Sequence, residues 1–260
     1  TPSMVSIKMK KNEKGAIEPS KYRSLVGKAL YLNKISRPDI SNQVRELSQH
    51  FDNPGEDQWK QLLQLISYLK ATREMGLVMK VEDNDSESCR IECFVDSDFA
   101  TDTESRRSTT GYLVFVDGAL VSWKSKRQGS VTLSSTEAEY VALSQVACEM
   151  KFVHSLLSEM GIKVDTPMIV HEDNQGAIFL AKNEALGQRT KHIDTRYHFT
   201  RELIQLGLLN VVYIKSEENM ADTMTKNLNE KLFWRHTGKM MSIEQNGPPD
   251  ESREDVKHDG

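Results

Sequence analysis

The feature that most constrains the fold is a change in the spacing of apolar residues near Gly76. Before this point apolar residues recur at the period of an amphipathic helix, and after it they alternate at the two-residue period of a strand. A chain that changes period in this way must join a helical segment to a β-sheet.

The helical segment is predicted to contain three short helices within about 19–71. Each begins near a proline, which suits the first turn of a helix because its missing N–H has no partner there; the three are Pro19, Pro38 and Pro54. Residues 1–18 are polar and the chain begins with Thr1, so we expect them to be a disordered or linker remnant of a longer parent chain.

The second part of the chain alternates strands with helices. Alternating apolar residues predict strands at 89–96, 111–117 and 119–125, with a turn at Gly118, and these form an antiparallel meander. The spacing then predicts a helix at about 135–160, a strand at 167–172, helices at about 174–184 and 192–206, a strand at 209–214 and a short helix from about Asn219. This order predicts an α/β fold, in which a mixed sheet carries helices on its faces.

The end of the chain is predicted to be a largely disordered acidic extension, because the periodicity is lost after Leu228. Residues 240–260 carry six acids and two bases, which accounts for the whole formal charge of −4. A nucleic-acid surface elsewhere therefore needs local clusters of Lys and Arg. The predicted units are 1–18, 19–75, 76–228 and 229–260.

The composition argues against two classes of protein. Cys89, Cys93 and Cys148 are odd in number and lack Cys-x-x-Cys spacing, which argues against a zinc site and against a disulfide-stapled secreted scaffold. No apolar run approaches the roughly 20 residues that cross a bilayer, and the N-terminus is unlike a signal peptide. We expect an intracellular protein with no membrane partner.

Three aspartates stand out because of their positions near strand ends. Asp96 ends an apolar strand, Asp173 follows the strand at 167–172, and Asp222 lies in the first turn of the last short helix. Each has a structural alternative, respectively as a turn residue, as a helix N-cap and as an acid favoured by the helix dipole.

A glutamate on the long helix completes the set. Glu139 shares a helical stripe with Leu143 and Val146, which should face the sheet, and a buried acid needs a partner or a metal. Its neighbour Glu137 has a structural explanation, because Ser134 and Glu137 are spaced as a capping box.

Together, these positions predict a metal site, because open α/β sheets bind ligands beyond their strand ends. Oxygen ligands without His or Cys indicate Mg²⁺ or Mn²⁺, and paired cations are a common device for phosphodiester hydrolysis. The residues alone therefore favour a metal-dependent nuclease.

Six motifs in succession resemble the ribonuclease H domain of copia-type retrotransposon polyproteins. They are Phe94-Val95-Asp96-Ser97-Asp98-Phe99-Ala100, Arg107-Ser108-Thr109-Thr110-Gly111-Tyr112, Ser134-Ser135-Thr136-Glu137-Ala138-Glu139-Tyr140, Glu172-Asp173-Asn174-Gln175, Lys191-His192-Ile193-Asp194 with His198-Phe199-Thr200-Arg201-Glu202, and Asn219-Met220-Ala221-Asp222. The segments 22–28, 37–40 and 59–69 resemble the thumb and connection end of the reverse transcriptase in the same polyproteins.

The resemblance implies a ribonuclease H-like fold, with a mixed five-stranded sheet, flanking helices and a preceding helical segment. It implies an acidic tetrad that is both catalytic and metal-binding, holding two Mg²⁺ ions that Mn²⁺ can replace: Asp96, Glu139, Asp173 and Asp222. The reaction would be hydrolysis of the RNA strand of an RNA–DNA hybrid to 3′-hydroxyl and 5′-phosphate ends. The partner would be the polymerase part of the same polyprotein, in a cytoplasmic virus-like particle or the nucleus.

Several residues are expected to contact the nucleic acid. Ser135, Asn174 and Gln175 are candidates for 2′-hydroxyl contacts, with cap or turn roles as the alternative. The candidate phosphate contacts are Arg106, Arg107, Lys124, Lys126, Arg127, Lys191, Arg196 and Arg201, with solvated surface charge as the alternative. A further basic set is expected to extend hybrid binding onto the helical segment, unless these helices only cover apolar surface of the nuclease: Lys21, Arg23, Lys28, Lys34 and Arg37.

Two departures from the resemblance bear on the activity. Many ribonucleases H carry a histidine in the loop before the last aspartate, and residues 214–219 contain none. No polymerase Tyr-x-Asp-Asp motif occurs, so the chain itself should not polymerise DNA. The alternatives are a catalytically idle remnant or domesticated nucleic-acid-binding domain, and an integrase, whose Asp, Asp, Glu order differs from the order here.

Overall fold

The computed structural model describes residues 1–3, 17–79, 87–100, 105–183 and 191–241, and for 191–197 the backbone alone. Within these ranges, no helix combines the length and the apolar character that spanning a bilayer requires.

The helical segment forms as predicted, with shifted boundaries. Helix α1 is Pro19–Ile35, and a short 3₁₀ turn at Pro38–Ile40 leads into α2 at Ser41–Ser48. Helix α3, Glu56–Ala71, begins just after Pro54, where the backbone N–H of Gly55 donates to Gln58 Oε1 at 3.0 Å. Two of the three prolines therefore lie at the first turn, and the third lies shortly before it.

The sheet has five strands in the order β3-β2-β1-β4-β5. The strands are β1 Ile91–Asp98, β2 Thr109–Val116, β3 Ala119–Arg127, β4 Met168–Glu172 and β5 Leu209–Tyr213. The first three form the predicted antiparallel meander, while β4 pairs parallel with both β1 and β5. This mixed sheet confirms the predicted fold class.

Helices follow the meander and separate the later strands. They are α4 Ser135–Glu159, α5 Gln175–Lys182, α6 Lys191–Gln205, α7 Asp222–Thr225 and α8 Glu230–Met240. The predicted stripe of α4 faces the core, where Leu143, Val146 and Met150 are fully buried. Glu139, on the same face, is only 6% exposed, which confirms that this acid points inward.

Helix α8 corrects the expectation that order ends at Leu228. Asn229 begins the helix by accepting a hydrogen bond from the backbone N–H of Leu232 at 3.0 Å. The ring of Phe233 then lies edge-on to Tyr68 of α3, with centroids 5.9 Å apart. Its buried face combines Phe233 and Met240 with the polar His236 and Thr237, so the helical spacing is not visible from apolar residues alone. Residues 242–260, the rest of the predicted extension, lie outside the described residues.

The helical segment is not a separate unit, contrary to the interpretation from sequence. Its apolar residues share one core with Leu228 and Phe233 from the end of the chain. Polar contacts join it to β3, because Trp123 Nε1 donates to the carbonyl of Asn33 at 3.0 Å and Arg45 Nε donates to Ser125 Oγ at 3.1 Å. The helical segment therefore packs against the end of the chain and forms hydrogen bonds to the sheet.

Candidate active site

The sheet places Asp96 inside β1, not at its end as expected. Strand β1 continues to Asp98 because β2 pairs with it along its whole length, with Asp96 opposite Gly111. Pairing with β4 stops earlier, at Phe94 and His171. Asp96 therefore lies just beyond the parallel pairing, and its side chain is 1% exposed.

The predicted acids converge at this end of the sheet. Single carboxylate oxygens of Asp96, Asp173 and Asp222 lie within 4.8 Å of one another. Oxygens of Glu139, Glu172 and Asp173 form a second group at the same spacing, so Asp173 joins the two. The convergence predicted for the four residues is confirmed, and we call the five acids the carboxylate cluster.

Glu172 is the member of the cluster that sequence reasoning missed. It is the last residue of β4, in which Met168, Val170 and Glu172 are buried and alternate with half-buried neighbours. This alternation predicts an inward-facing acid at position 172. In the sequence Met168, Ile169 and Val170 are all apolar, so the sequence alone does not show which face of the strand is inward.

Asp222 is held against the sheet by the loop that precedes it and by a close contact between α7 and β2. Asn219 Nδ2 donates to the carbonyl of Val95 at 2.8 Å, and Asn219 Oδ1 accepts from the N–H of Ala221 at 3.2 Å. Helix α7 then crosses β2 at Gly111, where an added Cβ would lie 2.5 Å from Met224 Cβ. Only glycine allows this contact, which brings Asp222 beside Asp96.

Helix caps account for two other polar residues near the cluster. Ser134 Oγ accepts from the N–H of Glu137 at 3.1 Å, as the capping box predicts, while Glu137 Oε2 accepts from the N–H of Leu133 at 2.7 Å. Asn174 caps α5 by accepting from the N–H of Ala177 at 3.0 Å. Asp173 is therefore not the N-cap, and that structural alternative for it is wrong.

The carboxylate cluster lacks internal partners for some of its buried oxygens. Within the described residues, Glu139 Oε2 and Glu172 Oε2 are buried and have no hydrogen-bond partner. Burial, together with the neighbouring acids, raises the pKa of Glu139 and of Glu172 well above the ordinary range. Burial and then the charge of Asp96 raise the pKa of Asp222 to about 7. Close carboxylates in this state need a positive charge to ionise together.

Lys226 supplies one positive charge, and sequence reasoning did not identify it. Its Nζ donates to Asp96 Oδ1 at 3.0 Å and to Asp222 Oδ1 at 2.9 Å. Thr225 Oγ1 donates to the other oxygen of Asp96. Burial alone would lower the pKa of Lys226, but the two carboxylates outweigh it and raise that pKa.

The donor set fits divalent cations. Hard oxygen ligands suit Mg²⁺ or Mn²⁺, and the unpartnered oxygens of Glu139 and Glu172 point to a cation rather than to internal pairing. Lys226 contacts Asp96 and Asp222 among the five acids, so the whole cluster ionises together only where further positive charge is present.

Some of the predicted phosphate contacts line one groove. The groove lies between the helical segment and β3 and has a volume of about 430 Å³. Arg107, Lys126 and Arg127 line it, joined by Arg45 from α2, which sequence reasoning missed. Among the described residues lining the groove there is no acid, although Glu46 beside it approaches Arg45 at 3.5 Å. We call the groove lined by these four basic residues the basic groove.

The basic groove adjoins the carboxylate cluster through Gln128. This residue lines the groove, and its Nε2 donates to the carbonyl of Ala138 at 2.9 Å and to Thr110 Oγ1 at 3.1 Å. Ala138 precedes Glu139, and Thr110 precedes the glycine opposite Asp96. Gln128 therefore links the lining of the groove to residues that adjoin the carboxylate cluster in sequence or in strand pairing.

The other candidate contacts whose side chains are described do not line this groove. Arg106 and Lys124 are exposed, with Lys124 Nζ 5.8 Å from the Tyr112 ring centroid. Arg201 donates to the carbonyl of Leu180 at 3.2 and 3.1 Å, which ties α6 to α5. The side chains of Lys191 and Arg196 lie outside the described residues. Ser135 and Gln175 are exposed at the starts of α4 and α5.

Arg37 contradicts the prediction that it follows a phosphate backbone. It is 4% exposed and its guanidinium binds Asp39 through two hydrogen bonds, of 2.9 and 2.7 Å. Arg23 pairs with Asp52 at 3.0 Å on the surface. The prediction failed because a single sequence does not show which basic residue has an internal carboxylate partner.

The chain is similar in sequence to parts of known retrotransposon polyproteins. The chain is 37% identical to the retrovirus-related Pol polyprotein from transposon RE2 of Arabidopsis thaliana over 223 residues, which is 86% of this chain. It is 38% identical to the corresponding polyprotein from transposon TNT 1-94 of Nicotiana tabacum over 214 residues, 82% of this chain. This chain is a homologue of copia-type retrotransposon Pol polyproteins.

The homology covers a small part of each Pol polyprotein, since the aligned region spans 15% of the RE2 polyprotein and 16% of the TNT 1-94 polyprotein. No protein-family model matches the chain. Among solved structures, the chain is similar to LC11-RNase H1, isolated from compost by a metagenomic approach. The two are 18% identical, and the match has a TM-score of 0.39 and covers 52% of this chain and 92% of that one.

Proposed function

We propose that this Pol homologue is a ribonuclease H that hydrolyses the RNA strand of RNA–DNA hybrids during reverse transcription of a retrotransposon. The observation that carries the proposal is the carboxylate cluster, in which buried oxygens of Glu139 and Glu172 lack partners among the described residues. Such an arrangement is unfavourable for a fold unless a ligand compensates it. Its position beyond the parallel strand pairing is where α/β sheets commonly bind substrates.

The residues that would hold two Mg²⁺ ions are Asp96, Glu139, Asp173 and Asp222. When bound, divalent cations supply charge stabilisation at the phosphate and lower the pKa of an attacking water. Mn²⁺ can substitute because it accepts the same oxygen ligands. The protein contributes by holding these carboxylates in a buried, rigid arrangement, which the Asn219 and Gly111 contacts maintain.

The basic groove supports a nucleic-acid substrate. Arg45, Arg107, Lys126 and Arg127 present positive charge beside the carboxylate cluster, where phosphates of a bound strand are attracted electrostatically. These contacts fix the position of the duplex without reading its sequence. Because the groove has one wall from the helical segment, that segment assists hybrid binding through Arg45 and not through Arg37.

Ribose recognition completes the proposal. Ser135 and Gln175 are exposed polar residues in the first turns of α4 and α5, the helices next to the cluster. A hydroxyl or amide there can contact the 2′-hydroxyl that distinguishes RNA from DNA. Asn174 already accepts the capping hydrogen bond of α5 through Oδ1, which leaves its amide N–H groups to donate.

The proposal is tested by cleavage of a hybrid that carries a labelled RNA strand, with the full chain in Mg²⁺ and in EDTA. We expect cleavage only in Mg²⁺, and Asp96→Asn should reduce its rate by about a hundredfold or more, since several kcal/mol of charge stabilisation is lost. Glu137→Gln is the matched control and should cleave normally, because Glu137 serves the helix start.

Two results would overturn the proposal. One is hybrid binding by the folded wild-type protein without cleavage in either Mg²⁺ or Mn²⁺, which would identify a catalytically idle binding domain. The other is loss of cleavage in Glu137→Gln while Asp96→Asn retains it. A hybrid-binding measurement on the same samples separates failure to cleave from failure to bind.

A further inference from the structure

Lys226 occupies a position that the proposed cation site also requires. Its ammonium lies 3.0 Å from Asp96 Oδ1 and 2.9 Å from Asp222 Oδ1, and both residues belong to the proposed ligand set. Asp222 and Lys226 are spaced i, i+4, so they lie on one side of the turn formed by α7. The contact is therefore built into the local sequence.

The carboxylate cluster is consequently divided into two unlike halves. Around Asp96 and Asp222, oxygens are already engaged by Lys226 and Thr225. Around Glu139 and Glu172, two buried oxygens have no partner among the described residues. A cation entering the second half meets unengaged oxygens, whereas a cation entering the first half must compete with an ammonium.

We propose that Lys226 is an internal counter-cation, which holds Asp96 and Asp222 together in the cation-free protein and is displaced when the second divalent cation binds. The inference rests on the proposed function. It predicts that the two cation sites differ in affinity, with the Glu139 half filling first and the Asp96–Asp222 half filling second and more weakly. Lys226 is thus a positioning residue that sets the cation concentration at which the site is complete.

The geometry allows the displacement. The side chain of Lys226 is 36% exposed, whereas those of Asp96 and Asp222 are 1% and 9% exposed. The ammonium therefore has a route to solvent along its flexible stem, while the carboxylates stay in place. A divalent cation carries twice the charge and can replace it between the same two acids.

The test is Mn²⁺ binding to the full-length chain, measured by electron paramagnetic resonance of free Mn²⁺ and by calorimetry. Wild type should bind in two steps of different affinity. Lys226→Gln should tighten the second step by about tenfold, within the range typical of coupling between two binding events, and leave the first unchanged. Lys226→Arg should weaken the second step, because a guanidinium binds carboxylates in a bidentate manner and is harder to displace.

A charge-matched control is Lys231→Gln, which removes an exposed lysine from α8 and should leave both steps unchanged. Thermal unfolding gives a second measurement. In EDTA, Lys226→Gln should lower the melting temperature, and saturating Mg²⁺ should restore it to the wild-type value. A role limited to packing would lower the melting temperature equally in both conditions, which would contradict the proposal.

The outcomes distinguish the two proposals. If wild type binds no Mn²⁺, the proposed function fails and the role of Lys226 fails with it. If wild type binds Mn²⁺ but neither Lys226 variant changes the second step, only the counter-cation role is overturned.

Discussion

Two buried groups of charged residues in this protein differ in how completely they are paired. In the helical segment, Asp39 accepts hydrogen bonds from Arg37 at 2.9 and 2.7 Å and from the Tyr68 hydroxyl at 2.6 Å. Arg37 also donates to the carbonyl and the hydroxyl of Thr72. Both oxygens of the buried acid therefore have partners, and the charge is matched one to one.

The carboxylate cluster has the opposite character. Lys226 pairs with two of its five acids, and the oxygens of Glu139 and Glu172 named above lack partners in the described part of the chain. Burial of charge alone therefore does not indicate a functional site. A fully paired group stabilises the fold, whereas an incompletely paired group indicates a place for a ligand.

The largest expected effect on stability is in the paired group. Asp39→Ala should lower the free energy of unfolding by about 3–5 kcal/mol, because it leaves a buried guanidinium without its counter-charge. Chemical denaturation in EDTA would measure this loss. Hybrid cleavage per folded molecule should be unchanged at temperatures where the variant remains folded.

Glu139→Gln provides the contrast in the carboxylate cluster. In EDTA it should leave the free energy of unfolding unchanged or increase it, since an amide removes one of several mutually repelling acids. Comparable destabilisation by both substitutions would show that the carboxylate cluster is held together by internal pairing, and the distinction between the two groups would be lost.

A smaller, pH-dependent effect is expected at Asp222. Its pKa is raised to about 7 in the folded chain, so the stability that it contributes is complete below about pH 3.8 and is lost as the pH rises through 7. The Asp222→Asn variant has no carboxyl group at this position, so its stability does not fall in this way as the pH rises. In EDTA the variant should therefore match wild type near pH 4 and exceed it by up to about 4 kcal/mol at pH 7.

The measurement is denaturation of both proteins at a series of pH values from 4 to 8. Asp52→Asn, which removes a fully exposed carboxylate, should show no such trend. A stability difference between Asp222→Asn and wild type that stays constant over this range would mean that burial and the neighbouring acids do not raise the pKa of Asp222.

The sequence predicted most of the fold because its signals are local. Proline positions, strand alternation and the stripe of α4 predicted the main elements, and strand-end logic predicted that Asp96, Asp173 and Asp222 would meet. Glu139 was predicted from its place on the buried stripe of a helix. These inferences need only periodicity and the rule that ligands bind beyond the strand ends.

The features that were missed depend on contacts between distant parts of the chain. Lys226 resembles any surface lysine until the fold brings Asp96 to it across 130 positions. Arg45 joins the basic groove only because α2 docks on β3. Helix α8 depends on apolar partners in the helical segment, and Arg37 depends on Asp39 and Thr72. Tertiary pairing of this kind leaves no periodic signal.

The central claim is that the carboxylate cluster is a divalent-cation site and the Arg37–Asp39 group is not. Anomalous diffraction from a crystal of the full chain soaked in Mn²⁺ tests it most directly. The account predicts anomalous peaks at coordination distance, about 2.0–2.2 Å, from oxygens of Asp96, Glu139, Asp173 and Asp222, with Lys226 moved away from Asp96 and no peak at Asp39. Saturating Mn²⁺ that leaves the cluster without a peak and Lys226 still between Asp96 and Asp222 would contradict the account.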